Sequence, residues 1–164
     1  FTGQLAWSND SFGVSIGGNW GDTQAGGGAN ASGSILDVVV SADPSDNLSL
    51  WANFDWVNVD PAAGSDTNTY GIALAGRYAL NDTTGLALRG EYVEATTRGT
   101  NDAEQWSITA TVDHDVTDNL LLRGEFRYDE AKQNGSTNNW FDNAAGAARY
   151  KDQFLFLVDM TYEF

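Results

Sequence analysis

Apolar and polar side chains alternate along most of this chain, and the alternation is clearest over residues 151–164. From Phe154 to Phe164 every second residue is apolar or aromatic, and the residues between them are mostly polar. Side chains of a β-strand point alternately to its two faces. The pattern therefore predicts a final strand with one apolar face and one largely polar face.

The same alternation predicts eight further strands, which are joined in turn by short turns and long polar loops. The nine predicted strands cover residues 1–8, 12–21, 34–42, 48–59, 69–80, 85–94, 105–116, 120–130 and 151–164. The long loops are predicted at 22–33, 60–68, 95–103 and 131–150. Short turns on one side and long loops on the other are typical of outer-membrane barrels, whose strands need ~9–11 residues to cross the bilayer. We therefore predict an all-β fold, an antiparallel up-and-down transmembrane β-barrel, with residues 1–164 in a single domain.

A repeat on the scale of a β-hairpin supports this organisation. Residues 86–92 (LALRGEY) match residues 120–126 (LLLRGEF), which begin 34 positions later, and residues 48–54 (LSLWANF) are a weaker third copy. Each copy follows a short turn and opens a new strand. The repeating unit is therefore a hairpin of a β-meander rather than a helical repeat.

The predicted number of strands is odd, which has a consequence for closure. If nine strands closed on themselves, the first and last would pair in parallel, whereas single-chain bacterial barrels have even strand numbers. Unpaired strand edges are not tolerated in lipid, because every backbone polar group there needs a partner. We therefore expect the chain to be the C-terminal portion of a larger barrel, and a miscounted strand is the alternative interpretation.

Composition agrees with a membrane β-protein and argues against nucleic-acid binding. The net charge is -15, from 23 acidic and 8 basic residues, whereas binding phosphate needs a basic face. The acidic excess fits solvated loops or loops that attract divalent cations. Eight Phe, six Trp and six Tyr suit aromatic girdles at the two membrane interfaces. No apolar run reaches the ~18 residues of a transmembrane helix.

Charged side chains that fall on the polar faces of the strands are the candidate pore-lining residues. They are Arg77, Arg89, Glu91, Asp113, Arg123, Glu125, Arg127, Asp129, Asp55 and Asp159. In a pore, such a set creates a field that selects solutes by charge. The alternative interpretation is a network of salt bridges that fills the lumen and holds the wall together.

Catalysis finds little support in the sequence. His114 is the only histidine, and the alternation places it on the apolar face near a turn. A Ser-His-Asp triad would need this residue on the polar face. With one histidine and no cysteine, we expect no catalytic residues, no metal site and no cofactor.

Two sets of residues resemble known families. The pattern of Val158, Met160, Tyr162 and Phe164 resembles the β-signal of outer-membrane proteins. A wider region resembles the OmpL-like porin group called β-barrel porin-2, through residues 70–78 (YGIALAGRY), 86–92, 119–129 (NLLLRGEFRYD) and 141–143 (FDN). Porins of that group are considerably longer than this chain.

The resemblance implies a passive channel for small hydrophilic solutes or ions in the outer membrane of a Gram-negative bacterium. The implied partners are outer-membrane lipid, the barrel-assembly machinery that reads the β-signal, and further strands or copies of the same protein. Two other interpretations stay open. One is a non-transporting barrel that acts as an anchor or scaffold and binds a surface partner through its long loops. The other is a soluble, secreted β-sandwich.

Overall fold

A computed structural model of the chain contains a nine-stranded antiparallel sheet whose strand order follows the chain order. The structure describes residues 1–25, 29–61, 64–98, 102–133, 141–142 and 149–164. The sheet consists of β1 (Thr2–Ser8), β2 (Phe12–Ala25), β3 (Ala29–Ser45), β4 (Leu48–Asp60), β5 (Thr67–Asn81), β6 (Thr84–Thr97), β7 (Ala103–Thr117), β8 (Leu120–Gln133) and β11 (Asp152–Tyr162). Two short strands, β9 (Phe141–Asp142) and β10 (Arg149–Tyr150), form a separate ladder. The prediction of a nine-stranded up-and-down meander is confirmed.

The strands are longer than predicted at the ends that lead into the long loops. The ladder between β2 and β3 continues to the pair Ala25 and Ala29, so most of the predicted loop 22–33 is strand. The predicted loop 131–150 likewise contains the end of β8 as well as β9 and β10. Apolar alternation marks only the part of a strand that faces an apolar environment. Backbone pairing beyond that part leaves no such mark in the sequence.

The four short connections are tight turns, and in three of them a side-chain oxygen accepts a hydrogen bond from a backbone N–H group. The Asn9 side-chain oxygen accepts hydrogen bonds from the backbone N–H groups of Ser11 (2.9 Å) and Phe12 (2.8 Å). The Asn81 oxygen accepts one from the Thr83 N–H at 3.0 Å. Three of the turns follow a register shift at the end of a strand, in β3, β5 and β7. Such bulges increase the local twist and are frequent at barrel rims.

Direct cross-strand partners share a face, so the register defines one apolar face that crosses all nine strands. A typical row on this face contains Leu5, Ile16, Val38, Phe54, Ile72, Tyr92 and Trp106. Most of these side chains are exposed in the isolated sheet; Leu5, for example, is 80% exposed. Among the described residues, the only buried apolar side chains are Ala31, Ala73 and Ala131. The sheet therefore has no interior hydrophobic core, and its apolar face needs an apolar environment.

Aromatic side chains occupy two levels of the apolar face. One level lies toward the long loops and includes Trp20, Trp56, Tyr70, Tyr92, Trp106 and Tyr128; the other lies toward the short turns and includes Trp7, Phe12, Tyr78 and Tyr162. On the loop side, the Tyr70 and Tyr92 hydroxyls donate to the Glu94 carboxylate at 2.6 and 2.8 Å. These tyrosines pair an apolar ring with a polar tip, as interfacial aromatic residues do. No helix among the described residues is long and apolar enough to cross a membrane.

Candidate functional site

The opposite side of the sheet, here called the polar face, carries every charged residue of the predicted set. The strand register places on it Asp55 of β4, Arg77 of β5, Arg89 and Glu91 of β6, Asp113 of β7, Arg123, Glu125, Arg127 and Asp129 of β8, and Asp159 of β11. The alternation therefore predicts the face of each residue correctly. Which of them interact follows only from the structure.

The first interaction crosses a whole strand. Arg77 on β5 reaches Asp113 on β7, with its Nε 3.2 Å from Oδ1 and its Nη2 2.5 Å from Oδ2. The arginine passes over Gly85 of β6, which lies directly opposite Asp113. A Cβ atom at position 85 would overlap the guanidinium group. A side chain at position 85 would therefore displace the Arg77 guanidinium from its observed position.

A second network connects β6, β7, β8 and β11. Arg127 donates through Nε to Asp129 at 2.8 Å, and its Nη1 lies 3.5 Å from Glu91. Glu91 also contacts Arg89 and accepts a hydrogen bond from Ser107 at 3.0 Å. The Asp129 side chain is fully buried and accepts a second bond from Gln153 at 2.9 Å. Asp129 thus holds Arg127 in place and does not form part of the exposed surface.

The remaining charges of this region interact more loosely. Arg123 lies between Asp113 and Asp159 in the register, with Nη1 3.6 Å from the Asp159 carboxylate. Glu125 accepts a hydrogen bond from Thr111 at 3.2 Å. Both Arg123 and Asp159 are about half exposed.

The four arginines line one groove on the polar face, here called the arginine groove. Its volume is about 340 Å³. Its lining consists of Arg77, Arg89, Arg123, Arg127, Asp113, Glu125, Thr109, Thr111, Leu88, Ala75 and Ala87. The small residues on β5, β6 and β7 leave the space into which the long arginine side chains extend.

The polar face of β3 and β4 is acidic instead. Asp37 lies directly opposite Asp55, and Asn53 donates to Asp37 at 2.8 Å. The sequence contains no lysine or arginine before Arg77. The sequence already contains this segregation of charge, but only the pairing of neighbouring strands turns it into an acidic and a basic region of one surface.

The single histidine of the chain lies away from the polar face. His114 lies on the apolar face opposite Leu122, as the alternation predicts. Its Nδ1 lies 2.9 Å from the Thr84 hydroxyl. No group of three histidine, cysteine or acidic residues in the described part of the chain could hold a metal ion. The four residues that resemble the β-signal lie at the end of β11 or just after it. Val158, Met160 and Tyr162 are on the apolar face, and the Phe164 ring packs against Tyr162 with centroids 5.3 Å apart.

Comparisons with known proteins agree with the geometry. The model of the family described as beta-barrel porin-2, OmpL-like, matches residues 1–164. Among solved structures, in-vitro folded OmpT, an outer-membrane protein of Vibrio cholerae, is 16% identical with a TM-score of 0.72, and the match covers 98% of this chain and 54% of OmpT. An anion-selective porin from Comamonas acidovorans is 16% identical with a TM-score of 0.76, over 99% of this chain and 48% of that porin. The chain thus spans about half the length of these structures. No curated protein matches the sequence.

Proposed function

We propose that this chain, which belongs to the OmpL-like β-barrel porin-2 family, forms part of the wall of a passive channel. The solved structures that it resembles are outer-membrane proteins of Gram-negative bacteria. Small hydrophilic solutes or ions would cross the outer membrane along its polar face. The observation that carries this proposal is the two-sided sheet. One face is apolar across all nine strands, and the other carries charged side chains. This combination suits lipid on one side and water on the other.

The role of a channel wall accounts for the chemistry of the polar face better than catalysis does. Its arginines are paired with carboxylates, and the Ser107 and Thr111 hydroxyls donate to carboxylates on neighbouring strands. None of these groups forms a nucleophile and base pair of the kind that hydrolases use. The family description and the geometry together support a channel rather than an enzyme.

The edges of the sheet support a larger closed barrel. In the described sheet β1 pairs only with β2, and β11 pairs only with β8, so each has one side whose backbone groups lack a strand partner. In lipid, each unsatisfied backbone group costs several kcal/mol. We therefore propose that further strands pair with both edges, either from the same protein or from another copy.

Mass measurement tests this closure. The barrel extracted from outer membranes should have a mass well above the 17.7 kDa of this chain. Further strands in one longer protein give the larger mass even after denaturation, whereas added copies give it only in the folded state. A folded, denaturation-resistant barrel with the mass of a single chain of this length would contradict the proposal.

Channel activity is tested directly by reconstitution of the full-length protein in planar bilayers. We expect stepwise conductance increases in KCl, because a water-filled lumen lets hydrated ions diffuse through. The matched control is the same preparation after heat denaturation. If the folded protein inserts but gives no conductance steps at any voltage, it acts as an anchor or scaffold, and the channel proposal is wrong.

A further inference from the structure

We propose that the arginine groove is an anion-binding wall of the channel, so that small anions pass it more readily than small cations. This inference rests on the proposed channel function and adds its preference for one sign of charge. The arrangement of charges on the polar face carries the inference. The overall charge of the chain, -15, would by itself favour cations.

The first observation is an asymmetry of burial within the ion pairs. In the pair of Arg77 with Asp113, the arginine side chain is 50% exposed and the aspartate 16%. The pair of Arg89 with Glu91 shows 48% and 20%. In the pair of Arg127 with Asp129, the values are 31% and 1%. In these three pairs the carboxylate is the more buried partner, whereas Arg123 and Asp159 are similarly exposed, at 46% and 54%. A solute at the first three pairs therefore meets mainly guanidinium groups.

The second observation is the charge of the groove lining itself. Four arginines and two carboxylates, Asp113 and Glu125, line the groove, whereas Glu91, Asp129 and Asp159 do not. Those three carboxylates contact Arg89, Arg123 and Arg127 from outside the lining, so the positive excess belongs to the groove surface and not to the ion-pair network as a whole. An anion that enters the groove therefore contacts mainly guanidinium groups, which bind anions through charge-assisted hydrogen bonds.

The third observation is the supply of free donors. Each guanidinium has five N–H donors. The hydrogen bonds to carboxylates within the described part of the chain involve two nitrogens of Arg77, one of Arg89 and one of Arg127. Arg123 contacts Asp159 only at 3.6 Å. Several N–H groups therefore stay available for an anion that enters the groove.

The acidic pair on β3 and β4 does not cancel this effect. Asp37 and Asp55 lie on strands that contribute no residue to the groove, whose lining comes from β5 to β8. Asp37 is also engaged by the Asn53 amide. The polar face thus offers an acidic region and a cationic groove side by side, and an anion binds at the second.

The test is the reversal potential of the full-length protein in bilayers under a KCl gradient centred at ~0.1 M, where the screening length is about 10 Å. The wild type should favour chloride over potassium. Arg89→Gln combined with Arg123→Gln should lower the chloride-to-potassium permeability ratio about two- to fivefold. These two arginines are chosen because neither is bonded to the buried Asp129. Glu91 also keeps Arg127 and Ser107 as partners.

Two controls separate charge in the groove from other effects. Arg89→Lys combined with Arg123→Lys keeps the charge and should keep the preference. Lys132→Glu changes the net charge by the same two units on the apolar face, where Lys132 lies opposite Glu104, and should also leave the ratio unchanged. A conducting wild type that prefers potassium, or a double glutamine variant with the wild-type ratio, would overturn the anion proposal alone. Absence of any conductance would overturn the channel function and this inference with it.

Discussion

Replacing Arg127 by methionine should lower the free energy of unfolding by about 3 kcal/mol. The reason is the carboxylate that the change leaves behind, because Asp129 is fully buried and takes its charged hydrogen bond from the Arg127 Nε. Removing one partner of a buried pair costs about 3–5 kcal/mol. The lower end applies here, since Gln153 still donates to Asp129. Urea unfolding of the full-length protein in lipid vesicles, followed by tryptophan fluorescence, measures the effect.

Two variants serve as controls for this result. Arg89→Met breaks a half-exposed pair, and its partner Glu91 keeps Arg127 and Ser107, so it should cost no more than about 1 kcal/mol. Arg127→Met combined with Asp129→Asn leaves no buried charge and should recover much of the lost stability. Equal losses for Arg127→Met and Arg89→Met would show that the buried carboxylate does not govern stability.

Replacing Ile108 by arginine should lower the free energy of unfolding in lipid by about 2–4 kcal/mol. Ile108 lies on the apolar face of β7, between Gly90 and Tyr128. A charge at this position would have to be placed in the hydrocarbon layer. The same urea titration in vesicles measures the loss.

Thr111→Arg is the matched control, because it places the same side chain on the same strand but on the polar face. Thr111 lies opposite Glu125, which gives the new arginine a partner. The four arginines of the groove offset part of this attraction, so we expect a loss of about 1 kcal/mol, which is smaller than the loss for Ile108→Arg. If Thr111→Arg is the more damaging substitution, the assignment of the two faces is reversed.

The strands and their faces could be predicted because adjacent residues of a strand point to opposite faces, one apolar and one polar. The polarity of each residue therefore indicates the face on which it lies. The alternation from Phe154 to Phe164 gives the face of each residue in β11, and the register confirms it. The loop-side ends could not be predicted in the same way. Beyond Gly21, for example, β2 continues as DTQA, where pairing rests on backbone hydrogen bonds that any residue can make.

The candidate site was predictable as a set and not as a structure. The alternation places Arg77 and Asp113 on one face but does not show that they meet across β6, because that contact depends on the length of the arginine and the space above Gly85. The burial of Asp129 was also beyond prediction. Arg127 lies on the same strand, β8, but Gln153 lies on β11, which begins only at Asp152.

The identity of strand order and chain order makes this sheet modular. Each strand pairs with a neighbour in sequence, apart from the step from β8 to β11, so few contacts carry a large loop-closure entropy. The two copies of the Leu-x-Leu-Arg-Gly-Glu pattern stand 34 residues apart, at the same phase of the alternation. Removing or duplicating that interval would therefore change the sheet by one hairpin and leave every other side chain on its original face. A channel built this way can change its circumference in steps of two strands while keeping its lipid surface and its lining intact.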